Sequence, residues 1–249
     1  MRRSLLGAII PASFLIIWEV SSRTGLLTLE SLSRPSDIVA AGLGALLDGS
    51  LLLATLQTCE TALLGLAIAA VIGIAVGTFL GLLPTAERIA GPTIEALRPI
   101  PAIAFMPLAL MMFGFGIALE ASIVAYACVW PILIVTVAAV RAVERRLVEV
   151  AAVLEFPIWQ QMTKVLLPAA FARINVGLRV AAAISLVVAV TVEIVLNPRG
   201  LGYHLILAEQ SLQIGLMWAQ LVWLCLLGYV LNLMLSRFGR GSRPVWRPL

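Results

Sequence analysis

Charged residues are scarce in this chain of 249 residues: they make up 12% of it, whereas ordinary soluble domains carry about 25%. Hydrophobic residues make up 61%, and the mean hydropathy is +1.06. These values indicate an integral membrane protein. Because each span needs roughly 20 residues, little of the chain is left for a large soluble catalytic domain. The net charge of +4 comes from basic residues beside apolar runs, which does not indicate binding to nucleic acid.

Lysine and histidine each occur once, which removes most catalytic motifs. A P-loop needs Gly-Lys-Ser/Thr to hold phosphates, but Lys164 lies between Thr163 and Val165. His204 alone supplies neither a metal cluster nor a Ser/His arrangement, so a hydrogen bond in a loop is the simpler interpretation. We therefore expect no catalytic residues, no metal site and no cofactor site in this chain. Three cysteines lie far apart in apolar runs and are interpreted as small core residues: Cys59, Cys128 and Cys225.

Six apolar runs are long enough to cross a bilayer, and they predict an all-α membrane protein with six transmembrane helices. The runs are Leu5–Val20, Leu56–Leu83, Ile89–Phe113, Ala118–Val140, Ile174–Leu196 and Leu216–Leu235. The first could instead be a signal peptide, but no small-x-small cleavage site follows it. The third contains four prolines and cannot be a regular helix throughout, so we expect its breaks to be buried in protein.

Lys and Arg are distributed unevenly between the connections. With a cytoplasmic N-terminus, twelve of the seventeen lie in inside segments, three lie outside and two lie within spans. This bias places both termini in the cytoplasm. In the outside segment 21–50, Arg34-Pro35-Ser36-Asp37 precedes an apolar stripe and predicts a capped surface helix. That helix is an interfacial brace or, alternatively, a substrate contact.

Residues 149–168, EVAAVLEFPIWQQMTKVLLP, form an amphipathic segment on the cytoplasmic side, which we call the insert. Apolar residues recur at helical spacing before and after Pro157, and this pattern predicts two short helices. The insert resembles the EAA loop of binding-protein-dependent ABC importer permeases, in which an E-A-A triplet, a later glycine and a terminal L-P recur. The matching residues are Glu149, Ala151, Leu167 and Pro168.

Two residues of the insert depart from the EAA pattern: Val150 replaces the middle alanine, and Glu155 occupies the glycine position. Since Pro157 disfavours helical geometry at Phe156, we expect the turn to move to Phe156-Pro157. Glu155 would then be free to meet a basic residue on an ATPase. We expect Glu149 to hold its helix by capping or by a charge contact with that ATPase.

Two further motifs extend the resemblance to residues Thr55 to Leu235. Residues 95–116, EALRPIPAIAFMPLALMMFGFG, resemble the L-R-P-I-P segment of permeases for nitrate, taurine and aliphatic sulfonates. Gly200-Leu201-Gly202-Tyr203 resembles their G-L-G-Y turn. The resemblance implies the type I ABC importer permease fold, with a first helix and outside segment at 1–50, a permease core at 51–237 and a cytoplasmic tail at 238–249.

The same resemblance implies a function and a set of partners. The chain would be the translocation subunit of an ATP-driven importer in the bacterial inner membrane, for a small solute such as nitrate, taurine or a sulfonate. Its partners would be a cytoplasmic ATPase dimer that binds ATP and Mg, a second permease subunit that is an identical copy or a similar permease, and a periplasmic solute-binding protein. The residues expected to couple to the ATPase are Glu149, Ala151, Ala152, Glu155, Phe156, Pro157, Trp159 and Pro168.

Charged residues inside the spans are candidates for the translocation pathway or a gate. Glu95 and Arg98 lie three apart on one helical face, before Pro99 and Pro101. They form either a buried pair that shapes the pathway or two groups at the cytoplasmic interface. Glu193 is costly in lipid, so it should face the dimer interior or a cavity, as a gate or as a satisfied structural contact.

A secondary transporter or channel is the alternative function. It would use intramembrane glutamates as ion or proton sites, the candidates being Glu60, Glu95 and Glu193. Many such transporters carry internal repeats, and the six apolar runs show none.

Overall fold

The computed structural model describes residues 2–25 and 31–238, and all regular structure within them is helical. Eleven α-helices are formed, together with a 3-10 turn at Ala102–Phe105 and a π-helical stretch at Gln161–Leu166. The predicted tail at 238–249 lies, beyond its first residue, outside the described residues. The helices are α1 (Arg2–Arg23), α2 (Pro35–Leu47), α3 (Ser50–Leu82), α4 (Pro84–Leu97), α5 (Met106–Phe113), α6 (Ile117–Arg141), α7 (Arg145–Val153), α8 (Ile158–Gln160), α9 (Leu167–Val195), α10 (Gly200–Gln210) and α11 (Ile214–Phe238).

Among the described residues, four helical segments are long and apolar enough to cross a membrane: α3, α6, α9 with its π-helical stretch, and α11. The pair α4 and α5 is a fifth candidate, bent by 85° at its break. The all-α membrane architecture is therefore confirmed. Helix α1 covers the first predicted span but is not among these five, so the count of six stays a prediction.

The core forms where α3 and α6 approach closely through a row of glycines. Gly65, Gly73, Gly77 and Gly81 lie one above another on α3 and face Val124, Ile132, Thr136 and Val140 of α6. Each pair is separated by 59 residues, the separation that also relates Thr61 to Glu120. A constant offset means that α3 and α6 run parallel. Small residues allow this approach because they leave no side chain between the backbones.

Helix α9 packs on the same pair in the opposite direction. Gly177 lies against Val135, whereas Ala181, further along α9, accepts the Cys128 thiol at 3.2 Å from an earlier position on α6. The bundle thus has two defined ends. Ser50, Ile117 and Val195 mark the end that we call the outer end, and the insert follows α6 at the opposite end.

The predicted third span is broken, as its prolines require, and we call residues 84–113 the broken span. Pro101 has no N–H to offer the Leu97 carbonyl, which instead accepts the Tyr126 hydroxyl at 2.8 Å and the Ile100 amide at 3.2 Å. Tyr126 also packs on Phe105, with ring centroids 4.6 Å apart. Contacts from α6 therefore satisfy the freed backbone at the break.

The turn of the insert lies at Glu155, and the expected shift to Phe156-Pro157 is wrong. Helix α7 ends at Val153, and Glu155 adopts a left-handed backbone with φ of 52°. The Phe156 amide donates to the Ala151 carbonyl at 3.1 Å, the six-to-one bond of a Schellman motif. This bond can form only if residue 155 has a left-handed backbone. Glu155 therefore adopts the conformation that favours glycine, the residue found at this position in the EAA pattern.

The expected second short helix of the insert is not a separate element. Helix α8 passes through the π-helical stretch and continues into α9, with Pro168 in the first turn of α9. Proline lacks an N–H and is tolerated there because the preceding π-helical residues already break the regular bonding pattern.

The predicted turn at Gly200–Tyr203 is also wrong, because these residues form the first turn of α10. Glycine is required on the inner face of this turn. A Cβ at residue 200 would lie 1.9 Å from Glu193 Oε1, and one at residue 202 would lie 2.4 Å from the Val190 carbonyl oxygen.

The predicted surface helix is formed as α2 and begins at Pro35. Its N-terminus is capped from α1: Glu19 accepts the Ser36 amide at 3.0 Å and the Ser36 hydroxyl at 2.9 Å. On its other side, Gly42 packs against Ala219 of α11. These contacts are those of a brace between α1 and α11.

The glycine row predicts a sharp positional effect. Gly77→Ala would place a Cβ 2.7 Å from Thr136 Cβ and 2.9 Å from the Leu133 carbonyl oxygen. Overpacking of this kind should lower the unfolding free energy by about 1–3 kcal/mol. Gly44→Ala is the matched control, since a Cβ there meets nothing within 4 Å. Thermal unfolding in detergent measures both, and equal midpoints would contradict the close approach of α3 and α6.

The left-handed turn predicts a stabilising substitution. Glu155→Gly should raise the unfolding free energy by about 1 kcal/mol, because a residue with a Cβ is strained at positive φ. Glu155→Ala removes the same charge and keeps the strain, so it is the control. Thermal unfolding or limited proteolysis of the insert compares the two. A glycine variant no more stable than the alanine variant would show that the turn lies elsewhere.

Candidate functional site

The insert presents an apolar surface that its own chain does not cover. Val153 is 81% exposed and Trp159 is 69% exposed. Val150 and Leu154 of the insert are exposed as well, and so is Leu147, which precedes the insert in α7. Ala151 instead turns inward and is buried. Large apolar residues exposed in a segment between membrane spans indicate an interaction site.

The remaining candidate coupling residues lie on or beside this surface. Glu149, Glu155, Pro157 and Pro168 are exposed, and Phe156 is half-buried. Ala152 lies in α7, but its side chain is outside the described part of the chain. Their role in coupling to an ATPase stays a prediction.

Glu149 does not cap its helix. It is the fifth residue of α7, beyond the first turn, where capping groups act. Its side chain is exposed, and no residue in the described ranges hydrogen-bonds to it. The expected capping role is therefore wrong, and the charge contact with a partner stays a prediction.

The insert is fastened to the bundle on its inner side. Leu166 is buried in a cluster with Ala139 and Val140 of α6 and with Ala170 and Ile174 of α9. Gln161 Nε2 donates to the Phe156 carbonyl at 2.9 Å, and Lys164 Nζ lies 5.7 Å from the Phe156 ring centroid. A force on the insert therefore acts on α6 and α9 together.

Glu95 and Arg98 line a cavity of about 410 Å³ between α3, α4 and α6. Both are exposed in this single chain, and no ion pair joins them within the described residues, so their part in the pathway stays a prediction. Glu87 and Arg141 line the same cavity and form an ion pair that joins α4 to the end of α6. Pro99 and Pro101 are exposed at the adjacent break. All residues of α4 are at least partly exposed.

A buried polar network lies at the outer end of the bundle. Glu120 of α6 is 1% exposed; its Oε1 accepts the Thr61 hydroxyl at 2.9 Å, and its Oε2 accepts Asn197 Nδ2 at 2.7 Å. Asn197 Oδ1 in turn accepts the Gly116 amide at 3.2 Å. We call Thr61, Glu120, Asn197 and Gly116 the outer network.

Glu193 lies next to this network and is enclosed by its own chain. It is 2% exposed, and its Oε2 accepts the Gly202 amide at 2.8 Å, at the start of α10. Thr58 and Gln57 of α3 accept the Leu201 and Gly200 amides at 2.9 and 3.0 Å. These bonds satisfy the free amides at the N-terminus of α10, as a structural contact would.

Sequence reasoning missed Glu120, Asn197 and Tyr126. Glu120 lies within the predicted span Ala118–Val140, so the rule that selected Glu193 should also have selected Glu120. Asn197 and Tyr126 carry no comparable signal, because a polar loop residue and an aromatic residue in a span are both common. In the described ranges, no group of three or more His, Cys, Asp or Glu could hold a metal ion.

Comparisons with known proteins agree with this architecture. The family described as "Binding-protein-dependent transport system inner membrane component" matches residues 61–244. The MetNI methionine ABC transporter in an inward-facing conformation has a similar fold, with a TM-score of 0.65 at 20% identity over 76% of this chain and 94% of that chain.

Several relatives are permeases of the same kind. The bicarbonate transport system permease protein CmpB of Synechococcus elongatus is 32% identical over 79% of this chain and 75% of its own length. SsuC of Bacillus subtilis, assigned as an aliphatic sulfonates transport permease, is 31% identical over 89% and 80%. The taurine transport system permease protein TauC of Escherichia coli is 27% identical over 94% and 86%.

These matches do not favour a secondary transporter or channel. The Glu60 side chain proposed for that alternative is exposed and lies 3.7 Å from Arg199 in an ion pair. The family match covers most of the chain, including α3, the broken span, α6, the insert and α9. The chain thus belongs to the binding-protein-dependent transport system inner membrane component family and is an ABC importer permease, in the group that includes the nitrate, taurine and sulfonate permeases.

Proposed function

We propose that this permease forms the translocation pathway of an ATP-driven importer and takes its driving force from a separate ATPase that docks on the insert. The observation that supports this most directly is the exposed apolar surface around Val153 and Trp159. ATP and Mg would be bound and hydrolysed on the partner chain, and this chain would act in translocation and not as an enzyme. Val150, at the middle alanine position, is 56% exposed and would add apolar area to the docking surface.

A second permease subunit, an identical copy, is the proposed partner of the broken span. Helix α4 buries no residue in its own chain, and Ile89 on it is 75% exposed. In a dimer this helix would gain cover, and Glu95 and Arg98 would line the pathway beside its break. Glu193 is enclosed within its own chain, so it would not line the pathway but would hold the start of α10 in place near the outer end.

We place the protein in the bacterial inner membrane with both termini in the cytoplasm, on the distribution of Lys and Arg. This orientation puts the insert on the side of ATP and the outer network on the side of a periplasmic solute-binding protein. The cargo would be a small solute bearing an anionic group, the property shared by sulfonates, taurine, bicarbonate and nitrate. The ligand that co-purifies with the cognate binding protein decides between them.

The proposed assembly predicts a complex of defined composition. Purified in mild detergent with its ATPase, the chain should run as two permease subunits and two ATPase subunits, because the insert supplies one docking surface per permease. Native mass measurement of the complex checks this. A transport-competent monomer without an ATPase would contradict the proposal.

The insert surface predicts that a charge reversal uncouples the complex. Glu149→Lys should lower ATPase affinity roughly tenfold or more, since a like charge at an interface costs several kcal/mol and the residue has no role in its own chain. ATP hydrolysis linked to transport in proteoliposomes is the measurement. Glu209→Lys is the matched control, because Glu209 is also exposed but lies in α10 at the outer end.

Titration of the ATPase onto Glu155→Gln and wild-type permease at two ionic strengths measures its binding and tests the second carboxylate. The substitution removes the charge and keeps a side chain at the left-handed position. Weaker association, with the larger loss at low salt, is the expected result. Unchanged association of both insert variants would show that these carboxylates are not docking contacts.

A further inference from the structure

The outer network connects parts of the chain that are distant in sequence. Glu120 on α6 binds Thr61 on α3 through one carboxyl oxygen and Asn197, which follows α9, through the other. The Thr61 hydroxyl has one proton and also lies 3.1 Å from the Gln57 and Thr58 carbonyl oxygens. The Glu120 oxygen is the closest of the three acceptors, at 2.9 Å, so the bond between helices is favoured.

The network reaches the broken span through Asn197. Its Oδ1 accepts the amide of Gly116, which follows the end of α5 by only a short loop. Gly114 and Gly116 both have positive φ, of 67° and 128°, so this loop has a conformation that L-residues rarely adopt. Beyond this bond, α5 is held mainly by Met106 and Ala109 against Leu119, Ile123 and Val192.

The other end of the same helices carries the insert. Leu166 packs between α6 and α9, and Glu120 and Asn197 lie at the opposite ends of these two elements. Helices packed along their full length transmit displacement as rigid bodies. A displacement of the insert would therefore displace α6 and α9, and with them the residues of the outer network.

We infer that Glu120 is a positioning residue that, with Thr61 and Asn197, fixes the outer end of the broken span to α3, α6 and α9, so that this end follows movements imposed at the insert. The inference rests on the proposed function, because it takes the insert as the point where the ATPase acts. A carboxyl group is costly to bury, and an apolar residue would hold the bundle together at least as well. Unlike an apolar residue, Glu120 forms directed hydrogen bonds, and these fix α3, α6 and the end of α9 in one relative arrangement.

Two threonine variants give a matched test. Thr61→Val removes the hydroxyl that donates to Glu120. Thr78→Val makes the same change on the same helix at an equally buried residue, whose hydroxyl bonds, among the described residues, only to the Ile74 carbonyl of its own helix. Loss of a buried hydroxyl in itself would affect both variants alike, whereas loss of the bond to Glu120 occurs only in Thr61→Val.

A spin label at Phe115→Cys reports on the loop between α5 and α6, where residue 115 is 63% exposed. Cys59 and Cys225 are replaced by serine, and the fully buried Cys128 is retained. The full chain is reconstituted in nanodiscs with its ATPase, and label mobility is recorded without and with ATP.

Without ATP, Thr61→Val should raise the mobile fraction of the label roughly tenfold, the ratio that corresponds to a loss of about 1.4 kcal/mol, whereas Thr78→Val should leave it unchanged. With ATP, the response of the label should be lost in Thr61→Val and kept in Thr78→Val. Glu120→Gln, which keeps an acceptor oxygen, should resemble wild type more than Glu120→Leu does.

Equal label mobility in the two threonine variants would overturn the inference, as would a normal ATP response in Thr61→Val. If Glu120→Leu fails to fold, the threonine pair still decides. A wild-type complex whose label does not respond to ATP would instead contradict the proposed function, and the comparison without ATP would still test the positioning role.

Discussion

The close approach of α3 and α6 is the constraint on which the rest of the structure depends. Four glycines on α3 remove the side chains that would otherwise separate the two backbones, and the facing residues of α6 occupy the space. In a membrane, where apolar burial between helices gives little driving force, contact of this kind is what selects one arrangement. The register that it sets places Thr61 beside Glu120.

Helix α6 is the shared support of both functional regions. Its outer end holds the polar network, its middle supplies Tyr126 to the break in the broken span, and its other end packs with α9 under the insert. The insert exposes its apolar surface while being fastened from behind. The two regions of proposed function are thus joined by packed helices and not by loops, which is the arrangement that a mechanical coupling requires.

Hydropathy predicted four spans and the broken one, because burial in lipid demands long apolar runs regardless of how the helices pack. Predictions that depended on local chemistry were less successful. The turn at Glu155 was expected to move because glutamate is strained at positive φ, but the six-to-one bond from Phe156 to Ala151 holds it in place. The turn at Gly200–Tyr203 was expected from the resemblance to a G-L-G-Y turn, but its glycines lie in a helix and leave room for Glu193 and the Val190 carbonyl.

The sequence by itself determined the membrane class, the broken third span, the amphipathic insert and the family, since each rests on composition, proline positions or a motif along the chain. Only the tertiary structure decided that Glu120 and Asn197 belong together, that Tyr126 satisfies the break at Leu97, and that Glu95 and Arg98 line one cavity with Glu87 and Arg141. The reason is physical. A buried polar group is acceptable only beside its partner, and those partners lie 77 and 29 residues away in sequence, brought near by the register of packed helices.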